Sequence, residues 1–166
     1  MILDEILANK RAEVAARRAH EPEERVAERA LSAPPARDFL AAFQRPGVSI
    51  ISEIKRQSPA KGALRLDMDA PTMAATYAGA GAACISVLTD EKYFKGSDND
   101  LVAVRQRVDV PVLRKDFVVS SYQVHEARKL GADAVLLIVL TISCGVSAST
   151  ISRTASAPSC LASWTW

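Results

Sequence analysis

Short apolar runs and longer mixed stretches alternate along the chain from residue 48 onward. Ile50, Ile51 and Ile54 open the first run, and 83–88 and 133–139 are almost wholly apolar. Runs of this length and purity read as strands covered on both faces. The pattern predicts strands near 48–55, 83–88, 110–115 and 133–139, and helices near 70–80, 98–107 and 120–130. Successive strands start roughly 23–35 residues apart, the size of one βα unit. Asp69 before Ala70-Pro71, and Ser120 or Ser121 before Tyr122, read as helix N-caps. Gly131 suits the left-handed stop of the third of these helices.

Before residue 48 the period is helical. Leu3, Ile6, Leu7 and Val14 form one stripe on a helix over 2–19, with Arg and Glu opposite. Pro22 fits the first turn of a second helix over 22–31, which Pro34-Pro35 ends. Phe39, Leu40 and Phe43 suggest a third short helix, stopped by Pro46-Gly47. Residues 1–47 are therefore expected to be a helical extension, and 48–139 the first half of a (β/α) barrel. An eight-stranded barrel takes about 250 residues, and this chain has 166.

The candidate chemistry sits at two strand ends. Glu53 and Lys55 are two residues apart, so in a strand they project from one face. A doubly covered strand has no reason to end in an acid and a base unless they serve a site or pair as an internal cap. Ser58-Pro59 and Gly62 then break into a loop. The second strand end repeats the theme with Arg114, Lys115 and Asp116, followed by Phe117. Charged groups at the C-terminal ends of parallel strands are where a (β/α) barrel builds its active site. Lysines converging with a carboxylate suit a phosphorylated or carboxylated small molecule. A lysine crowded by a second ammonium is a better proton donor near neutral pH.

Three blocks carry a resemblance. Ser-Glu-Ile-Lys-Arg-Gln-Ser-Pro-Ala-Lys-Gly (52–62), Ser-Val-Leu-Thr-Asp-Glu-Lys-Tyr-Phe-Lys-Gly-Ser (86–97) and Val-Leu-Arg-Lys-Asp-Phe (112–117) resemble indole-3-glycerol phosphate synthases in order and spacing. So does the opening Ile-Leu-Asp-Glu-Ile-Leu-Ala-Asn-Lys (2–10), and the resemblance runs from about residue 1 to about 139. It implies an α/β fold of the (β/α)8 TIM-barrel class, here its helical extension and about four βα units. It also implies a lyase of tryptophan biosynthesis: ring closure, decarboxylation and dehydration of 1-(2-carboxyphenylamino)-1-deoxyribulose 5-phosphate.

By that resemblance Lys115 is the general acid at the substrate ketone, and Glu53 orients Lys115 or Lys55. Lys55 contacts the substrate carboxylate or phosphate, or assists dehydration. Ser58 binds the phosphate, Arg56 is a further substrate contact, and Phe94 and Phe117 line the pocket for the aromatic ring. No cofactor or metal is expected, and the full-length protein is expected to be a monomer. Another phosphate-binding barrel, such as an isomerase of the same pathway, would not carry the 52–62 and 112–117 blocks together.

Bulk composition narrows the field further. Twenty-one basic residues against 19 acidic ones leave a net charge of +2, too little field to draw in nucleic acid or a membrane surface. The first 30 residues hold six Lys/Arg and seven Asp/Glu, with no apolar core of a secretory signal. A cytoplasmic protein is the expectation. Cys84, Cys144 and Cys160 lack metal-ligand spacing, as do His20 and His125. Cys84 is expected to act as a small buried apolar residue.

The texture changes after Val139. Residues 140–166 contain no Asp, Glu or Lys, one arginine, seven serines, four threonines and both tryptophans, Trp164 and Trp166. No helix or strand period runs through them. The resembled family places there strands ending in a glutamate and in asparagine, and a later phosphate cradle. A frame error in the coding sequence is the simplest reading, giving an aberrant tail that does not complete the barrel. Its tryptophans would rest on open sheet. A Ser/Thr-rich linker is the alternative. Two functional classes follow: a biosynthetic enzyme whose present chain is inactive alone, or a non-catalytic remnant that needs a partner half.

Overall fold

The computed structural model describes residues 2–138. Two helices come first, α1 (Ile2–His20) and α2 (Glu23–Leu31), then a single 3-10 turn, Ala41–Phe43. Beyond them lie β1 (Ile51–Ile54), β2 (Gln57–Ser58), β3 (Gly62–Ala63), α3 (Ala70–Gly79), β4 (Cys84–Leu88), α4 (Glu91–Phe94), α5 (Asp98–Arg107), β5 (Val112–Lys115), α6 (Ser121–Lys129) and β6 (Ala134–Val135). The sheet has the order β1-β4-β5-β6 with every pair parallel, and β2 and β3 form a small antiparallel hairpin. Sequential parallel strands joined by helices are the build of the TIM-barrel class.

The register divides the sheet into two faces. Ile51 pairs with Cys84, Glu53 with Ser86, Ser86 with Leu113 and Leu113 with Ala134. These residues share the face that a closed barrel turns inward. Ile54, Ile85, Val87 and Val112 share the other face and pack on Ala70 and Ala74 of α3 and Leu101 and Val104 of α5. Each fully buried Val, Ile or Leu contributes about 1.5–3 kcal/mol, so this outer core is the main stabilising mass. Phe39 and Phe43 cover Cys84, Leu113 and Ala134 near the N-terminal ends of the strands. Cys84 is wholly buried among them, as expected of a small apolar residue.

Local signals explain the helix ends. Asp69 accepts the Thr72 amide, Ser97 the Asp100 amide and Ser120 the Tyr122 amide, each capping a helix. Gly131 takes φ +92 just past α6. Pro22 precedes α2 rather than opening its first turn.

Several expected elements differ in extent. The helix anticipated around 39–43 is one 3-10 turn, too short to hold more with Pro46-Gly47 following. The first strand starts at Ile51 rather than 48, because β1 is an edge of the sheet among the described residues: Val48 is 93% exposed and Ile50 58%. The last strand is Ala134–Val135 where 133–139 was expected. The hairpin β2–β3 and the one-turn helix α4 were not anticipated. The expectations for Val139, for residues 140–166 and for Trp164 and Trp166 lie outside the described residues.

Candidate active site

Parallel register brings the two charged strand ends together. Leu88 of β4 pairs with Lys115 of β5, and Glu53 of β1 pairs with Ser86 of β4, so Glu53 and Lys115 reach over β4 from either side. Lys115 Nζ lies 2.5 Å from Glu53 Oε2, and Lys55 Nζ 2.7 Å from Glu53 Oε1. One carboxylate thus holds two ammoniums, one on each oxygen. Burial alone would raise the Glu53 pKa, but the hydrogen bonds from Lys115 and Lys55 outweigh it and hold the carboxyl below its ordinary value. All three side chains remain partly exposed, as groups that meet a ligand must.

The aromatic candidates also meet. The Phe94 and Phe117 rings lie 6.1 Å apart at 41°, within the range of a tilted aromatic pair. Phe94 ends α4, beyond β4, and Phe117 stands two residues past Lys115. Both belong to the C-terminal ends of the strands, where Glu53, Lys55 and Lys115 also lie.

Ser58 sits in the β2–β3 hairpin, where its hydroxyl accepts the Lys61 amide at 3.2 Å. Arg56 is employed inside the protein. Its guanidinium bonds both Asp100 oxygens, at 2.5 and 3.0 Å, and also the carbonyls of Met68 and Lys95. Four acceptors occupy the fork, so Arg56 clamps the hairpin to the α3 and α5 loops instead of standing open to a substrate. The expected substrate contact is not what this geometry favours.

Further charged residues lie directly beneath the site. Arg114 alternates with Lys115 and points to the helix side, where it is 2% exposed. Its guanidinium meets Glu126 at 2.9 Å, Asp98 at 3.0 Å and the Thr89 hydroxyl at 3.1 Å. Thr89 donates in turn to Asp116 Oδ2 at 2.8 Å. Arg17 of α1 reaches the same Glu126 at 2.9 Å. Lys10 of α1, 2% exposed, bridges Asp90 and Asp116, both at 3.0 Å. Burial would raise the Asp116 pKa, but Arg114 and Lys10 beside it hold it below the ordinary value. Lys10 was legible after all: it falls three residues after Leu7 and four before Val14, inside the apolar stripe.

The comparisons with known proteins place the chain in a family. The indole-3-glycerol phosphate synthase family model matches residues 3–155. The chain belongs to that family. Its relatives include indole-3-glycerol phosphate synthase of Rhodococcus jostii (strain RHA1), 52% identical over 155 residues, which is 93% of this chain and 58% of the relative. Indole-3-glycerol phosphate synthase 1 of Streptomyces coelicolor is 53% identical over 141 residues, 85% of this chain and 52% of the relative. The Mycobacterium tuberculosis protein of the same name is 47% identical over 155 residues, 93% and 57% of the two chains. The chain thus spans a little over half the length of these relatives. The family match runs to residue 155, past the 139 or so that the motifs cover. The family fold is a TIM barrel, and the described residues carry four of its strands with their helices. No helix among the described residues is long and apolar enough to cross a membrane.

Proposed function

We propose that the whole protein converts 1-(2-carboxyphenylamino)-1-deoxyribulose 5-phosphate to indole-3-glycerol phosphate, carbon dioxide and water. The observation that carries this reading is the Lys115–Glu53–Lys55 array at the C-terminal end of a parallel sheet. Lys115 protonates the ketone oxygen as the aromatic carbon bearing the carboxylate attacks. Carbon dioxide then leaves and the ring rearomatises. Loss of the hydroxyl as water completes the indole. Negative charge develops on the ketone oxygen, and a preplaced ammonium in a partly desolvated site stabilises it.

Glu53 positions both ammoniums. Lys55 binds the substrate carboxylate or the departing hydroxyl. Ser58 contributes to phosphate binding, and Phe94 and Phe117 flank the benzoate ring. Arg56 supports the site by holding the hairpin that carries Ser58. The acceptor of the final proton and the rest of the phosphate cradle belong to the other half of the barrel. We infer a monomeric, cytoplasmic protein at full length.

The test joins residues 1–138 to the C-terminal half of the Rhodococcus jostii relative and follows indole fluorescence. Turnover by the joined barrel supports the reading, and a well-folded joined barrel without turnover overturns it.

A further inference from the structure

The buried ammonium of Lys10 connects the N-terminal arm to both aromatic rings of the pocket. Three carboxylates surround it: Glu13 at 2.8 Å, and Asp90 and Asp116 at 3.0 Å each. Asp90 follows β4, and its other oxygen accepts the Tyr93 amide at 2.8 Å, capping the helical turn that ends in Phe94. Its backbone carbonyl accepts the Gly96 amide at 2.9 Å, closing the loop beyond Phe94. Asp116 follows Lys115, and the oxygen that meets Lys10 also accepts the Phe117 amide at 2.8 Å. Asp90 and Asp116 each therefore hold Lys10 on one side and the backbone of an aromatic residue, or of its helical turn, on the other.

Two further contacts tie α1 to the same place. The Tyr93 hydroxyl donates to Glu5 at 3.0 Å. Phe117 packs on the cluster that contains Leu7 and Val14.

We propose that Lys10 is a positioning residue, whose ammonium sets the separation of Phe94 and Phe117 and thereby the seat of the substrate's benzoate ring. The second half of that statement rests on the function proposed above. Stability alone does not call for a lysine here, since buried ion clusters are commonly replaceable by apolar residues of similar volume. An apolar side chain cannot, however, hold two carboxylates in register, and those carboxylates set the two backbone segments.

The chain has four phenylalanines, which provide an internal control. Phe39 and Phe43 form a separate ring pair, 5.0 Å apart, at the opposite end of the strands. The test records aromatic NMR spectra of the 166-residue chain labelled with ¹³C-phenylalanine, as wild type, Lys10→Met and Lys10→Arg. Phe94→Leu and Phe117→Leu variants assign the signals. In Lys10→Met the Phe94 and Phe117 resonances are expected to move while Phe39 and Phe43 stay, with a smaller change in Lys10→Arg. Anthranilate binding is expected to weaken about tenfold in Lys10→Met, the loss of one aromatic contact, with inorganic phosphate binding unchanged. Unmoved Phe94 and Phe117 signals in a folded Lys10→Met chain overturn the proposal. Movement of that pair in a chain whose wild type has no affinity for anthranilate supports the role of Lys10 and counts against the proposed ring pocket. If all four signals collapse, the double variant Lys10→Met/Asp90→Asn removes an unpaired buried charge and keeps a capping side chain, and the same criterion applies to it.

Discussion

Glu53 and Lys115 come from strands that do not touch, yet their side chains meet at 2.5 Å across β4. A strand-end ion pair within one βα unit would serve as a cap. A pair that spans three strands fixes the shape of the site instead. Replacing Glu53 by Gln keeps the volume and removes the charge between the two ammoniums. In a complete barrel this change is expected to lower kcat about 10²–10³-fold, the usual loss for one strong electrostatic participant, with a smaller effect on KM. Steady-state indole fluorescence checks it; equal losses through KM alone would assign Glu53 to ground-state binding.

The cluster around Lys10 makes a prediction about pH. Burial opposes the charge on Lys10, but Asp116, Glu13 and Asp90 raise its pKa above the ordinary 10.5. Asp116 is held below its ordinary 3.8. A depressed carboxyl stabilises the fold above its unfolded pKa and loses that contribution as pH falls through the folded value. A raised lysine stabilises below its unfolded pKa and loses the contribution as pH rises through its folded value. The two windows overlap between about pH 4 and 10. Lys10→Met is expected to cost about 3–5 kcal/mol at neutral pH, as for one partner removed from a buried pair. The difference from wild type should shrink below about pH 4 as Asp116 takes up a proton. Urea unfolding across that range measures it, and a difference independent of pH would mean that packing, not charge, holds Lys10.

Gly96 permits a close approach that no other residue can make. A Cβ placed there would lie 2.1 Å from the Leu88 carbonyl oxygen and 2.6 Å from its carbon, both backbone atoms that cannot step aside. Gly96→Ala is expected to destabilise the chain by about 1–3 kcal/mol or more through forced backbone movement. Because Gly96 closes the loop after Phe94, the variant should also disturb Phe94. At Gly79, by contrast, a Cβ meets nothing within 4 Å and φ is ordinary. Gly79→Ala near the end of α3 should be neutral or slightly stabilising. Chemical denaturation of the pair provides the comparison, and equal stabilities would refute the close-contact argument.

How much of this was legible beforehand depended on which signal each residue sent. The alternation of doubly covered strands with helices was plain because runs such as Cys84–Leu88 are buried at every position. The meeting of Glu53, Lys55 and Lys115 was legible because period-two spacing and parallel register leave strand ends side by side. The Phe94–Phe117 contact came through the family resemblance, not the pattern. Strand lengths failed at the edges, where Val48 and Ile50 have apolar side chains but too few partners in the ladder. The two-residue strands of the β2–β3 hairpin are too short for any period to show. The burial of Lys10 and of Arg114 was missed: Lys10 lies in the apolar stripe of α1, and Arg114, named with Lys115 at the strand end, must face away from it. Arg56 shows the converse, a motif arginine whose fork is filled by Asp100 and two backbone carbonyls.

The last prediction concerns the 166-residue polypeptide itself. It is expected to give no measurable indole-3-glycerol phosphate, although Lys115, Glu53 and Lys55 are assembled. Four parallel strands form its barrel sheet among the described residues, where a closed barrel has eight. Residues 140–166 contain no Glu, Asp, Asn or Lys, so they cannot supply the glutamate and asparagine that the family places on later strands. An open sheet also admits water, which weakens every charge interaction in the site. The exposed Val48, Ile50 and Ile51 on the β1 edge leave a surface that further strands would cover. Joining a relative's C-terminal half should restore turnover, and Lys115→Ala in that joined barrel should abolish it while substrate binding stays largely intact. Fluorescence assays on the three proteins decide the matter. Robust turnover by the 166-residue chain would overturn the requirement for the second half, and full activity of the lysine variant would remove Lys115 from the mechanism.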